Sequence, residues 1–272
     1  MNRYFKFKDI MISNFGQYVL QGVTNLETGT VTTRKINYLD TDGSTWGDIW
    51  YNERPFEISG VIIADNSNDM VNAKRKLIAS CNLKEKFILQ YFNRKDKYQA
   101  ECYFDKLPTF SARKGWNLEF KLYITIPGFY WESSQEHNLA IFNIEDKITD
   151  SFKLPCIFTE RLTVAKISNL GDTDLFPNFI IKCKNSVSGS SVVIKNNTTN
   201  QTFTLNYETL EGEIITVNTA KATAISNLNG NITKHIDISS DFPKLIKGVN
   251  ELEGLSPGNA VVVQFREKFL GV

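Results

Sequence analysis

Residues able to do chemistry are few in this chain. His137 and His235 are its two histidines. Neither has a second histidine or a cysteine at ligand spacing, nor a G-x-S-x-G serine nearby. There is no Walker sequence and no G-x-G-x-x-G turn to cradle a phosphate on backbone amides. A glycosidase needs two carboxylates across one cleft. The candidate pairs are Glu145 with Asp146 and Glu211 with Glu213, and both read as solvated loops or outward strand faces. Cys81, Cys102, Cys156 and Cys183 show no C-x-x-C spacing, and each sits in an apolar stretch. They read as buried, reduced thiols rather than a zinc site. The Asn-x-Thr triplets at Asn196, Asn197 and Asn231 matter only in a secreted chain. No catalytic residue, cofactor or metal is expected, and the chain does not read as an enzyme.

What stands out instead are aromatics. Trp46, Trp50 and Tyr51 surround the turn residues Asp40 to Gly43, and Phe129, Tyr130 and Trp131 follow Pro127 and Gly128. Such clusters either pack a core or anchor an interface, because Trp and Tyr dominate buried binding hot spots.

The elements that carry these residues are mostly strands. Residues 3–12, 18–27, 30–39, 46–51 and 54–64 read as successive strands, with Asp42 and Gly43 giving a hairpin signal between the third and fourth. Residues 65–82 form the one helical pattern. Met70, Val71, Ala73, Leu77, Ile78 and Cys81 share a face, Asn66 or Ser67 caps the start, and Asn82 closes the end. Lys74 projects from the middle of that face, so it must snorkel, find an acceptor or meet another subunit. Residues 86–93 and 97–104 flank the charged turn Arg94, Lys95 and Asp96, and Pro108 with Thr109 ends the pattern. In residues 116–126, Trp116, Leu118, Phe120, Leu122, Ile124 and Ile126 alternate with polar neighbours, the clearest strand of the chain.

Beyond residue 134 the sequence becomes rich in Asn, Thr and Ser. Short strands are expected at 160–169, 176–185, 190–196, 201–207, 212–218, 222–228, 234–239 and 259–270, with turn residues about every ten positions. Two domains follow, 1–134 and 135–272. The first is a β-sandwich or split barrel with one α-helix and an extended hairpin, and the second a galectin-like, jelly-roll β-sandwich.

Composition bounds the function classes. The 272 residues are 42% hydrophobic and 12% aromatic, with net charge +1, which argues against a dedicated nucleic-acid binder. No apolar run approaches the about 20 residues that span a bilayer, so no membrane partner is expected. The first fifteen residues mix charge into their apolar positions and lack the core of a signal peptide. The expectation is a product made in the cytoplasm.

Taken in order, these features resemble the siphophage distal tail protein (Dit) family. The resemblance rests on residues 33–62, the helical NAKRKLIASC, the hairpin FILQYFNRKDKYQAECYF and the closing Pro127 to Trp131. More loosely, it extends to residues 169–181, 245–252 and 261–270. Residues 135–156 have no counterpart in the pattern. The resemblance implies a structural, non-enzymatic virion protein of a long non-contractile tail. A homo-hexamer of first domains would form a ring, the baseplate hub, at the tail tip. Tail tube protein would lie on one face and the tail-associated lysin or tail fibre protein on the other. DNA would pass through the channel without specific binding. Outward second domains would hold peripheral parts such as a receptor-binding protein. The particle could equally be a virion, a prophage product or a tail-like bacteriocin.

Within that ring, residues 36–54 are expected to be a ring-making hairpin. Trp46, Trp50, Tyr51 and Arg54, with Lys74 on the helix, are the expected subunit interface. Two other classes compete: a carbohydrate-binding module acting in host-cell-wall adhesion, and a glycan-active enzyme on a sandwich fold.

Overall fold

A computed structural model describes residues 3–27, 29–37, 42, 44–111, 115–142, 164–184, 186, 191–255 and 259–272. The turn at Asp40 to Gly43 (apart from Asp42), Glu145, Asp146 and Cys156 lie outside the described residues. The chain divides into two units, Met1–Ser134 with Phe269–Val272, and Gln135–Lys268.

The first unit begins with β1 (Arg3–Phe7), β2 (Ile10–Ser13), β3 (Tyr18–Thr24), β4 (Val31–Asn37), β5 (Ser44–Tyr51) and β6 (Arg54–Ile63). Helix α1 (Ser67–Ser80) follows, then β7 (Phe87–Asn93), β8 (Asp96–Phe110), β9 (Asn117–Ile126) and β10 (Trp131–Ser133). Strands β8-β7-β1-β2-β3-β6-β9 lie in that order and β9 pairs back onto β8. The result is a closed barrel, which leaves none of these seven strands with a free edge.

Residues 3–12 form two strands rather than the single one expected. Lys8 takes a φ of +47° at the corner, and Phe7 pairs with Ile10. This turn sends Lys8 and Asp9 outward and keeps Phe5, Phe7, Ile10 and Ile12 in one core. Strand β8 also departs from expectation by running through Pro108. Irregularities in its pairing with β9 between Phe104 and Thr109 relieve the ladder at the proline. In β9, Leu118, Phe120, Leu122, Ile124 and Ile126 are all buried. Trp116 precedes the strand and is half-exposed, so it is not part of that inward row. Gly60 lies opposite Phe120, where a Cβ would stand 2.6 Å from the ring and 2.7 Å from the Val19 carbonyl.

In α1 the Asn66 side chain accepts from the Asp69 amide at 3.0 Å, the capping expected of that residue type. Met70, Ala73 and Leu77 join the barrel core, whereas Val71 and Ile78 are exposed. The Tyr18 hydroxyl ties the helix to β3 by donating to the Ala73 carbonyl at 2.9 Å. The end differs from expectation. The Cys81 amide closes on the Ile78 carbonyl, and Asn82 instead accepts from the Lys84 amide.

The second unit holds β11 (His137–Phe142), β12 (Val164–Asn169), β13 (Asn178–Cys183), β14 (Ser191–Asn196), β15 (Gln201–Asn206), β16 (Ile214–Asn218), β17 (Thr223–Ser226), β18 (Gly230–Asn231), β19 (Gly248–Leu255) and β20 (Asn259–Phe265). They form a six-stranded sheet, β11-β20-β13-β16-β17-β18, and a four-stranded sheet, β12-β19-β14-β15. Phe179, Ile181, Ile215, Val217, Val261 and Val263 of the first sheet share a core with Val192, Ile194, Phe203, Leu205 and Leu252 of the second. This is the galectin-like sandwich expected. Residues 234–239 are not a strand. Thr233–His235 is a 3-10 turn, with the Asp237 amide bonded to the Thr204 carbonyl at the edge of β15. A final strand, β21 (Lys268–Phe269), leads the chain back to β10 of the first unit.

Candidate functional site

The feature of the first unit that the barrel does not absorb is the ribbon of β4 and β5, which pair with each other and with no other described strand. Val31 lies opposite Tyr51, Thr32 opposite Trp50 and Thr33 opposite Ile49. Because side chains alternate along a strand, Val31, Ile49 and Tyr51 occupy one face and Trp50 the other. All four are about half-exposed. An isolated two-stranded ribbon is marginal in water, and one with large apolar groups on both faces calls for a covering surface. A register shift between Thr33 and Lys35 opposes Arg34 to Gly47 and Asp48, a bulge that twists the ribbon. Trp46 pairs with Lys35 through its backbone.

The root of the ribbon is held tightly. The Asn52 amide donates to the Thr30 carbonyl at 3.0 Å, and the Thr30 hydroxyl to the Glu53 carbonyl at 3.3 Å. The Tyr103 hydroxyl donates to the Glu53 carboxylate at 2.6 Å. That bond to an anion, aided by burial, pushes the phenol up to about 12. Arg54, expected at the subunit interface, is instead buried, with 1% of its surface exposed. Its guanidinium donates to the carbonyls of Leu26 at 3.3 Å and Leu270 at 2.5 Å, and lies 4.4 Å from the centre of the Phe129 ring. Carbonyl dipoles and a π face replace the water it has lost, and burial lowers its pKa.

Phe129 is the unusual residue here. The Tyr130 amide bonds to the Gly128 carbonyl at 2.7 Å, closing a γ-turn around Phe129, whose φ is +64°. For a bulky side chain such a backbone costs roughly 1–3 kcal/mol and persists only where its surroundings enforce it. The ring packs at the base of the ribbon, against the residue leading into β4 and the last residue of β5. A Cβ on Gly29 would stand 2.0 Å from it, and the Tyr51 ring lies 4.6 Å away.

Of the residues singled out from sequence, Tyr51 and Arg54 therefore meet on Phe129, Trp50 projects from the ribbon, and Lys74 stands apart. The Lys74 ammonium sits 4.7 Å above the Phe110 ring, a cation–π contact that accounts for a lysine within the helix's apolar face. Sequence reading did not find Val31, Ile49, Gly29 or Leu270. Alternation within residues 46–51 points to Ile49, but nothing local marks the other three.

The remaining chemical candidates are engaged structurally. His137 stacks on Phe265 with ring centres 5.0 Å apart, and its Nε2 lies 3.8 Å from Glu267. His235 meets the Tyr207 ring at 5.2 Å. Glu213 is not on a solvated face as expected but fully buried. Burial pushes the thiols of Cys81 and Cys183 up to about 12 and about 11, and that of Cys102 higher still. None is poised as a nucleophile.

Two family models match the chain: a phage tail protein RIFT-related domain over residues 6–122, and a siphovirus-type tail component, C-terminal domain, over residues 170–269. The fold is similar to the crystal structure of the SPP1 Dit (gp 19.1) protein, a paradigm of the hub adsorption apparatus in Gram-positive infecting phages. The TM-score is 0.71 at 12% identity, over 98% of this chain and 99% of that one. It is also similar to a chain of the phage P2 baseplate in its activated conformation with Ca, with a TM-score of 0.56 at 11% identity over 100% of both chains. The phage p2 baseplate activated with Sr gives 0.52 at 11% identity, over 97% of this chain and 98% of that one. No curated protein matches significantly. The barrel carries the match to the phage tail domain and the sandwich the match to the siphovirus-type tail component, so the chain is a phage tail protein. Together the two matches take in both units, and the chain belongs to the siphophage distal tail protein (Dit) family.

Proposed function

We propose that copies of this chain assemble through the β4–β5 ribbon into a hexameric ring at the tail tip, with residues 1–134 building the ring. The ring lies between the tail tube and the tail-associated lysin or fibre protein, and DNA passes through it without specific contacts. The sandwich, residues 135–268, extends outward and holds peripheral receptor-binding parts. The protein works without catalysis. One observation carries this reading: a ribbon outside every sheet that displays Val31, Ile49, Trp50 and Tyr51 on its two faces. A second copy is the economical cover for them. Trp50, Ile49 and Trp46 are the proposed contact residues, with the α1 surface around Lys74 a proposed receiving face. Arg54 supports the ribbon from inside.

The carbohydrate-binding alternative needs exposed rings for sugars to stack on. In the second unit Phe176 is exposed, whereas Phe179, Phe203 and Phe265 are buried in the core of the sandwich.

The test is the mass in solution of the wild-type chain and of the Ile49→Ser, Trp50→Ala variant, alone and with the tail tube protein. A buried tryptophan typically contributes about 2 kcal/mol or more to association. The variant should therefore fall to monomer mass while each monomer still unfolds in one cooperative transition. An assembled variant would remove the ribbon from the interface, and a wild-type chain that stays monomeric even with the tube protein would overturn the ring.

A further inference from the structure

We infer that Phe129 is a wedge that sets the direction of the ribbon, with Gly29 and Arg54 as its seat. Three independent features converge on this ring. Its backbone has φ +64° in a γ-turn, a conformation a phenylalanine keeps only where its neighbours enforce it. The ring stands at the base of the ribbon, where Gly29 leads into β4 and Tyr51 ends β5. Against it, Gly29 leaves no room for even a methyl group, and the Tyr51 ring lies at 4.6 Å and the Arg54 guanidinium at 4.4 Å. Arg54 then passes the constraint on, because its other contacts are carbonyls of the segments before and behind the ribbon, Leu26 and Leu270.

The Leu270 carbonyl belongs to the last four residues, which return from the second unit to the first. These residues are themselves pinned. Phe269 meets the Tyr98 ring edge-on at 5.2 Å, and Val272 packs on the barrel core. The wedge, the arginine and the returning chain end thus form one mount. The two terminal nitrogens and the ring contact draw on three separate segments while the buried Nε has no partner, so this arrangement is held because any other would cost the buried charge the partners it has. Phe129, Arg54 and Gly29 are positioning residues. They take no part in the proposed contact themselves but fix where Trp50 and Ile49 point. This assembly role rests on the ribbon reading above, whereas the mount does not.

The experiment is hydrogen exchange by mass spectrometry on the full chain, with solution mass measured on the same samples, for Gly29→Ala, Arg54→Met and Arg54→Lys. Gly29→Ala adds one methyl group against the ring and leaves every barrel side chain in place, so it tests the wedge even if an arginine variant folds poorly. Amides of β5 should exchange about tenfold faster or more in Gly29→Ala and Arg54→Met, while those of β7 and β9 keep wild-type protection. Arg54→Lys, which retains the cation over the ring, should restore part of the difference. Unchanged β5 exchange in Gly29→Ala overturns the mount. Equal loss of protection in β5, β7 and β9 also overturns it, by making these ordinary core residues. Faster β5 exchange with assembled mass retained would uphold the mount and defeat the ribbon as the interface. Monomer mass with unchanged exchange would do the reverse.

Discussion

Glu213 sits fully buried in the second unit with both oxygens engaged. One accepts from the Ser226 hydroxyl, from the Tyr207 hydroxyl at 2.9 Å and from the Asn229 amide at 3.3 Å. The other accepts from the Leu210 amide at 3.0 Å. Burial alone would push this carboxyl up, but the four donors outweigh it and hold the group below the usual glutamate value. A depressed folded-state pKa means that the stabilisation is complete above the unfolded value and is lost as pH falls through the folded one. Glu213→Gln turns one acceptor into a donor facing N–H or O–H groups, and should destabilise the sandwich by about 2–3 kcal/mol at neutral pH. Urea unfolding followed from pH 7 to about 3 should show the wild type losing its advantage over the variant on the acid side. A difference independent of pH would mean that packing, not the ionised carboxylate, is responsible.

Among the elements, β9 offers the cleanest contrast, because neighbouring positions face different surroundings. Phe120 is buried against Tyr18, with ring centres 6.3 Å apart, and Phe120→Ala should cost about 3–5 kcal/mol. Lys121 is exposed and pairs with Glu57 at 2.7 Å. An exposed ion pair contributes little, so Lys121→Ala should be near neutral in the same denaturant titration. Comparable losses at both sites would show that another surface covers the outer face of β9. The strand also marks a limit of pure alternation. Thr125 belongs to the outward set, yet it is buried, and its hydroxyl donates to Asp105 at 2.9 Å.

For the whole molecule, the consequence of the two units is a fragment experiment. Residues 135–268 contain both sheets of the sandwich and its core, so this fragment should unfold cooperatively by calorimetry. Beginning at residue 140 instead removes the pairing of His137, Asn138 and Leu139 with β20, and that fragment should melt at a lower temperature. The first unit should need residues 269–272 supplied on its own chain, because Arg54 and Tyr98 use them. Absence of a cooperative transition for 135–268 would show that the sandwich cannot hold its fold by itself.

The β-rich class, the single helix with its Asn66 cap, the inward row of β9 and the order of features that resembles the distal tail family are all legible in the residues alone. These are periodic or contiguous signals, carried by neighbours a few residues apart, so they survive without coordinates. Whatever depends on distant segments is visible only in the closed chain. Arg54 reads from sequence as a subunit-interface residue, and its burial depends on acceptors at positions 26 and 270 and a ring at 129. Glu213 looked solvated, and its burial needed donors at 207, 210, 226 and 229. The aromatics at 46–51 were legible as interface candidates, but the wedge beneath them was not. A residue's alternation along a strand records which side it faces, whereas the cost of burying a charge is set by donors and acceptors that only the closed chain brings within reach.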